Sequence, residues 1–290
     1  MIKLDGRATS QSIRNEIAAE VKKLQEKGGK TPHLVAVLVG SNGASQTYVK
    51  AKVRDCEEVG FVSDVVRLSE TITEAELLQE VHRLNADAAV DGFIVQLPLP
   101  RHIDEQKVLM AIDPAKDVDG FHPENLGKMA LNLPSYLPAT PMGILDLMDR
   151  YNIETGGKHC VVVGRSHIVG LPISILMGRN GYPGNATVTL THSRTTNLPE
   201  LLRSADIIIA ALGKPHFVTA DMVKEGAVLI DVGTTRVVDK SKKSGHRLVG
   251  DIDYENAAPK AAYITPVPGG VGPMTRVSLL KNTLLAARHK

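Results

Sequence analysis

A tyrosine and a lysine, Tyr48 and Lys52, stand four residues apart in a stretch with a helical pattern. Residues at this spacing share one face of a helix, whereas Lys50 between them points elsewhere. A phenol and an amine on one face can orient a substrate and exchange protons with it. The same spacing also occurs on ordinary helix surfaces, so a functional role for the pair is only one of two interpretations.

A polar amide, Gln96, ends an otherwise apolar run at residues 92–97. The run predicts a strand, and ligands of open parallel sheets bind at the carboxyl edge of the strands. A buried amide needs a hydrogen-bond partner. Gln96 therefore either bonds to a neighbouring loop or serves a ligand.

Two carboxylates, Asp117 and Asp119, precede Gly120, and either one could cap a turn. Further along, residues 265–275 combine three prolines with three glycines just before the last predicted helix. Such a loop has a fixed shape and exposed backbone groups, which suits it to gripping a flat ligand. It is too elaborate for a plain linker.

A second kind of site follows a Val-rich run at residues 159–163, where Gly164 and Gly170 bracket a tight turn. Glycines let backbone N–H groups approach a phosphate, and the start of the next helix favours negative charge. The two glycines stand six apart rather than three, so this is a variant of the dinucleotide fingerprint. Enzymes that use NAD place a carboxylate about 20 residues on. Here Ser193 and Arg194 stand instead, which suits a 2′-phosphate and predicts NADP.

The elements that must position these residues alternate between strand and helix, which predicts parallel sheets with covered faces. Ser10 is the predicted cap of the first helix, which runs to Gly28. The irregular stretch 114–141 holds several prolines and marks a domain boundary. The remaining predicted strands are 34–39, 65–68, 186–191, 206–211 and 227–232. The remaining predicted helices are 44–59, one opening at Thr73, and 274–288, while 252–262 is ambiguous.

The overall composition of the 290-residue chain excludes several classes. With 34 basic and 32 acidic residues and no Trp, nothing indicates a nucleic-acid or membrane partner. Cys56 and Cys160 stand far apart without a CxxC motif, so we expect neither a disulfide nor a metal site. No apolar run reaches ~18 residues, and the N-terminus lacks a signal peptide, so we expect a cytoplasmic protein.

Taken together and in order, these motifs resemble those of the bifunctional methylenetetrahydrofolate dehydrogenase/cyclohydrolase family. The motifs are Tyr48-x-x-x-Lys52, Val95-Gln-Leu-Pro98, Asp117-Val-Asp-Gly120, Gly164-Arg-Ser-x-x-Val-Gly-x-Pro172 and Pro266-Val-Pro-Gly-Gly-Val-Gly-Pro-Met-Thr275. The likeness covers nearly the whole chain. It implies an α/β fold with an N-terminal parallel-sheet domain and a C-terminal Rossmann-type domain, a cleft between them, and usually a homodimer. The last helix is expected to return to the first domain.

The resemblance also implies domain bounds and site residues. Residues 1–139 plus 274–290 would form the catalytic, folate-binding domain, and 140–273 the NADP-binding domain. Lys52 would be catalytic with Tyr48 and Gln96 beside it, and Asp119 would hold the pterin ring. The folate cleft would include Val267, Pro268, Gly269 and Gly270. The cofactor contacts would be Gly164, Arg165, Ser166, Val169, Gly170, Ser193, Arg194 and Thr234.

The implied activity is oxidation of 5,10-methylenetetrahydrofolate by NADP, followed by hydrolysis to 10-formyltetrahydrofolate, with no metal. His167 and residues 181–185 depart from the family pattern, which weakens the 2′-phosphate assignment. Short-chain dehydrogenases also use Tyr-x-x-x-Lys, but their glycine motif precedes the tyrosine, and here it follows by more than 100 residues. A relative of shikimate dehydrogenase and a non-enzymatic ligand-binding protein remain as alternatives.

Overall fold

The computed structural model describes residues 1–242 and 245–288. The helices are α1 (Gly6–Glu26), α2 (Gly43–Val59), α3 (Glu74–Ala86), α4 (Glu105–Ala111), α5 (Pro123–Ala130), α6 (Ala139–Arg150), α7 (Gly170–Gly178), α8 (Leu198–Ser204), α9 (Tyr254–Ala257) and α10 (Val271–Arg288). The strands are β1 (Ile2–Lys3), β2 (His33–Val39), β3 (Val62–Leu68), β4 (Gly92–Val95), β5 (His159–Val163), β6 (Thr187–Thr191), β7 (Ile207–Ala210), β8 (Val228–Asp231), β9 (Thr235–Val238), β10 (His246–Val249) and β11 (Tyr263–Ile264).

The chain forms two compact units. The three-stranded unit contains Gln11–Ala139 and the described residues from Arg276 onward. The six-stranded unit contains Met1–Ser10 and Thr140–Thr275. Both are α/β units with parallel sheets, so the predicted fold class is confirmed.

The three-stranded unit has the strand order β3-β2-β4, with all strands parallel. Residues 34–39 of the central strand are all buried, which accounts for their unbroken apolar run. Helix α3 begins at a capping box, in which the Thr73 side chain accepts from Glu76 N and the Glu76 side chain accepts from Thr73 N. Three buried residues of α3 cover the sheet: Leu77, Val81 and Leu84.

Helix α10 is fixed in the three-stranded unit by a buried amide. Asn282 Nδ2 donates to the carbonyl oxygens of Val118 at 2.8 Å and Leu137 at 2.9 Å. The prediction that the last helix returns to the first domain is therefore confirmed, and α10 lies against the segment that carries Asp119.

The six-stranded unit has the strand order β1-β11-β8-β7-β5-β6, also all parallel. The chain runs from β5 outward to β6 and then returns to β7 on the other side of β5. This reversal of direction opens a crevice at the carboxyl ends of β5 and β7, where sheets of this kind bind ligands. Strands β9 and β10 form a separate antiparallel pair.

Two sequence predictions about the elements are wrong. Ser10 does not cap the first helix, because α1 begins at Gly6 and Asp5 Oδ1 accepts from the N–H groups of Arg7 and Ala8. The stretch 114–141 is not irregular throughout, because it contains α5 and the start of α6. Proline is favoured in the first turn of a helix, where no N–H donor is needed.

The division into units also differs from the predicted one at the N-terminus. Met1–Ser10 belongs to the six-stranded unit rather than with residues 11–139, because β1 pairs with β11. At the other end, α10 begins at Val271 rather than at residue 274. Among the helices of the described residues, none is long and apolar enough to cross a membrane.

A pair of buried carboxylates, Asp231 and Asp251, stands at the carboxyl end of β8. Asp231 Oδ1 accepts from the N–H groups of Gly233 and Asp251, and Oδ2 accepts from Ile252 N. Burial raises the pKa of Asp231 to about 7; the charge of Asp251 acts in the same direction, and the N–H donors oppose it. Asp231 is therefore largely protonated below neutral pH.

We expect this pair to make stability fall as pH rises. The native state binds the extra proton between the ordinary pKa near 3.8 and about 7, so the stabilisation is complete below the lower value and is lost through the upper one. In denaturant unfolding, Asp231→Asn should gain stability relative to wild type between pH 5 and pH 8, on the order of a few kcal/mol at most. A difference between the two proteins that stays constant over this range would contradict the expectation.

Candidate active site and cofactor site

The three residues predicted to be catalytic lie together in the three-stranded unit. Lys52 is 8% exposed, and its Nζ donates to Gln96 Oε1 at 3.3 Å. The same Nζ lies 5.7 Å from the centroid of the Tyr48 ring. Gln96 Nε2 donates to Leu97 O at 2.8 Å, which fixes the amide with its oxygen towards Lys52. The side-chain amide of Gln96 thus has two hydrogen-bond partners, the Lys52 amine and the carbonyl of Leu97.

The surroundings of Lys52 lower the pKa of its amine. Burial lowers the pKa of Lys52, because desolvation penalises the charged amine. The negative charge of Asp119 opposes this shift, as does Cys56 more weakly, whereas the positive charge of Arg276 reinforces it. A neutral amine held by an amide oxygen can accept a proton, which is what a general base requires.

The phenol of Tyr48 forms the open side of this site, and 41% of the residue is exposed. Desolvation by the surrounding protein nevertheless raises the pKa of Tyr48; Arg276 lowers it and Asp119 raises it. Tyr48 therefore stays protonated at neutral pH and can donate a hydrogen bond.

The carboxylates of Asp117 and Asp119 have different surroundings. Asp117 accepts from Gly120 N, His122 N and Asn125 Nδ2, at 3.2, 2.7 and 3.0 Å. Burial raises the pKa of Asp117 to about 6, and the donors at Asn125 and His122 oppose the shift. Asp117 therefore holds the turn. The Asp119 carboxylate accepts no hydrogen bond from any residue that the structure describes, so its oxygens are available to a ligand.

The proline- and glycine-rich loop after β11 belongs to the six-stranded unit, and it packs on the start of α1. Arg7 N donates to Gly269 O at 3.1 Å. A Cβ on Gly6 would lie 1.8 Å from Gly270 O, so only glycine fits beside this loop. Val267, Pro268, Gly269 and Gly270 are thus held in one shape, while their contact with folate remains a prediction.

The glycines of the dinucleotide motif are required by close backbone packing. Gly164 has φ = 115°, and a Cβ there would lie 2.2 Å from Ala211 O at the end of β7. A Cβ on Gly170 would lie 1.9 Å from Gly164 O. Ser166 Oγ accepts from the N–H groups of Val169 and Gly170 at 3.2 and 3.4 Å, so it closes the turn before α7. This is the cradle that a dinucleotide needs.

A cavity of about 660 Å³ opens beside this turn, within the six-stranded unit. Its volume is that of a small-molecule site. Four predicted cofactor contacts line it: Gly164, Arg165, Ser166 and Ser193. Four others do not line it: Val169, Gly170, Arg194 and Thr234. The basic and hydroxyl side chains at the wall, Arg165 and Ser193, suit a phosphate.

Sequence reasoning missed two charged residues at these sites. Lys214 lines the cavity, and its Nζ lies 5.8 Å from the centroid of the Phe217 ring. Lys214 directly follows Leu212 and Gly213, whose N–H groups donate to Asp251 Oδ2. Arg276 lies beside the lysine site on α10. Neither residue belongs to a motif with characteristic spacing, so no sequence signal marked them.

Comparison with known proteins gives consistent matches over the whole chain. The family model for the catalytic domain of tetrahydrofolate dehydrogenase/cyclohydrolase matches residues 4–119, and that for its NAD(P)-binding domain matches residues 138–290. The bifunctional protein FolD of Cytophaga hutchinsonii is 65% identical over 99% of each chain.

Two solved structures are similar throughout. The Campylobacter jejuni bifunctional enzyme FolD has a TM-score of 0.93 and 45% identity, covering 100% of this chain and 99% of that one. The Trypanosoma brucei methylenetetrahydrofolate dehydrogenase-cyclohydrolase, complexed with NADP cofactor and inhibitor, has a TM-score of 0.94 and 40% identity, covering 100% and 98%. This chain belongs to the tetrahydrofolate dehydrogenase/cyclohydrolase family.

Proposed function

We propose that this chain carries out both reactions of its family on one folate, bound beside Lys52. The reactions are the NADP-dependent oxidation of 5,10-methylenetetrahydrofolate to the methenyl compound and its hydrolysis to 10-formyltetrahydrofolate. The observation that supports this best is the buried Lys52 amine, held by Gln96 beside Tyr48 and near Asp119, whose carboxylate accepts no hydrogen bond from the described residues. We assign catalysis to the three-stranded unit and cofactor binding to the six-stranded unit.

In the oxidation, the protein's residues orient the folate and need not move a proton. Asp119 would accept hydrogen bonds from the amino group and ring nitrogen of the pterin, and Tyr48 would border the one-carbon bridge. Nitrogen lone-pair electrons assist departure of the hydride, which the nicotinamide of NADP accepts when bound. Holding the reacting groups in position supplies most of the rate enhancement in such a step.

In the hydrolysis, Lys52 acts first as a general base and then as a general acid. Water attacks the cationic methenyl carbon and forms a C–O bond, while the neutral amine of Lys52 takes a proton from the water. The C–N bond to one ring nitrogen then breaks, and that nitrogen receives a proton from Lys52. One further proton is released to solvent as 10-formyltetrahydrofolate forms. Gln96 keeps the lysine aligned through its Oε1.

The cofactor site fits NADP because no carboxylate stands at the end of β6, while Arg165 and Ser193 line the cavity. A charge-assisted hydrogen bond to the 2′-phosphate contributes roughly 1.5–3 kcal/mol. The dehydrogenase should therefore prefer NADP to NAD by about tenfold or more in kcat/KM. A turnover assay on methylenetetrahydrofolate with the two cofactors in parallel tests both the activity and the preference.

Two arginines give a matched pair of variants for that assay. Arg165→Gln should reduce the preference for NADP with little change for NAD. Arg194→Gln should leave it nearly unchanged, because Arg194 does not line the cavity. Equal kcat/KM for NAD and NADP in the wild type would exclude the 2′-phosphate site.

The family resemblance supports two further proposals. We propose that the chain forms a homodimer and that it works in the cytoplasm. Sedimentation equilibrium should give a species of twice the chain mass, and cell fractionation should recover the activity with the cytoplasmic enzymes.

A further inference from the structure

A buried ion pair joins α10 to α2 one turn away from the lysine site. Arg276 Nη1 lies 3.2 Å from Asp55 Oδ2. The Asp55 side chain is 3% exposed and that of Arg276 is 17% exposed. Burial raises the pKa of Asp55, and Arg276 is the strongest of the charges that oppose the shift. Loss of one partner would leave a buried charge without compensation, so the pair holds Arg276 in a fixed place.

Arg276 is thereby held near Lys52, the residue proposed to transfer protons. Asp55 follows Lys52 by three residues on α2, so the two side chains share a face of the helix. Asn282 ties α10 to the segment just before Asp119. The charges of Arg276 and Asp119 therefore act on one lysine from two different elements.

These charges act on Lys52 in opposite directions. The carboxylate of Asp119 stabilises the ammonium form, and the guanidinium of Arg276 destabilises it. The remaining titratable groups that face Lys52 are Tyr48, which stays protonated, and Cys56, whose pKa burial raises to about 12. Arg276 is thus a positive charge that partly opposes the effect on Lys52 of the carboxylate proposed to hold the pterin.

We infer that Arg276, anchored by Asp55, is a positioning residue whose positive charge works against protonation of the Lys52 amine while Asp119 stands beside it. The inference rests on the proposed role of Lys52 in the hydrolysis. Burial is the larger influence on the lysine, and Arg276 adds to it against the carboxylate proposed to hold the pterin. The ion pair therefore allows substrate binding and proton transfer to share one small site.

The test is the pH dependence of cyclohydrolase kcat/KM in Arg276→Met and in Asp55→Asn/Arg276→Met. The double variant removes both buried charges and so leaves no unpaired carboxylate at Asp55. The pH profile can therefore still be measured if the single variant unfolds. Loss of the guanidinium should move the acid limb of the profile to higher pH, on the order of one unit. On that limb kcat/KM should fall about tenfold and recover at higher pH. The dehydrogenase profile should not move, because its hydride step transfers no proton to Lys52.

Two control variants make the result specific. Arg276→Lys keeps a positive charge and should restore the wild-type limb. Arg288→Met makes the same change on the same helix, at an arginine paired with Glu20, and should leave both profiles unchanged. If the limb stays in place in both Arg276→Met variants while KM for folate rises in both reactions, Arg276 binds substrate and the inference is wrong. Equal losses in both reactions at every pH, with a lower Tm, would also overturn it.

Failure of this inference differs from failure of the proposed function. If Lys52→Met retains the wild-type acid limb, Lys52 is not the proton-transfer group and the proposed mechanism falls. If Lys52→Met abolishes the hydrolysis but Arg276→Met keeps the wild-type limb, only the role of Arg276 is wrong.

Discussion

Lys52→Met should lose cyclohydrolase activity by a factor of 10²–10⁴, which is typical of losing a general acid-base group. Methionine keeps the length and apolar stem of lysine and removes the amine. The dehydrogenase should fall much less, because hydride departure needs no protein base. The methenyl intermediate should then accumulate, and its own absorbance reports it directly during turnover.

A neighbouring lysine provides the matched control. Lys50 is exposed on another face of α2, so Lys50→Met should leave both activities near wild type. If Lys52 only supports the helix, both activities of Lys52→Met would decline together with the Tm. Parallel loss of the two activities at an unchanged Tm would also contradict the assignment, since it would mean that Lys52 binds substrate.

Asp119→Ala should weaken both activities together. The pterin's amino group and ring nitrogen would lose their acceptor, at about 1–3 kcal/mol, or roughly 5- to 150-fold in kcat/KM. Both reactions use the same folate pose, so steady-state assays of each should show similar losses. Loss of only one activity would exclude the pterin role.

The neighbouring carboxylate distinguishes substrate binding from folding. Asp117→Ala removes the acceptor of three protein donors, at Gly120, His122 and Asn125, so it should lower the Tm. Asp119→Ala should leave the Tm almost unchanged, because no described residue donates a hydrogen bond to its carboxylate. Thermal unfolding of the two variants side by side tests this contrast.

Sequence patterns predicted the sheets well, because strands buried on both faces are apolar runs rich in Val, Ile and Leu. Residues 34–39 and β5 are of this kind. The same reasoning misjudged residues 114–141, where proline was taken as a sign of irregular structure. Pro123 lies in the first turn of α5, and that position accepts proline. Proline is thus compatible with the first turn of a helix but disrupts its middle.

For the site, the sequence identified the residues whose spacing carries chemistry and missed those that act from another element. Tyr48, Lys52 and Gln96 were found through their motifs, and the structure brings them together. Residue type and spacing alone did not distinguish Asp117 from Asp119, and only the family resemblance assigned Asp119 to the pterin; in the structure their hydrogen bonds differ. Arg276 and Lys214 were missed, because their importance depends on which helix or loop packs beside them, and local spacing does not encode that.

The pairing of β1 with β11 affects how the polypeptide matures on the ribosome. β1 is made long before its partner residues Tyr263 and Ile264, which lie far along the chain. The three-stranded unit likewise waits for α10, which supplies Arg276 and Asn282. Domains usually fold in the order in which they are synthesised. Here each unit combines segments that are distant in sequence, so each has to wait for a later segment before its fold is complete.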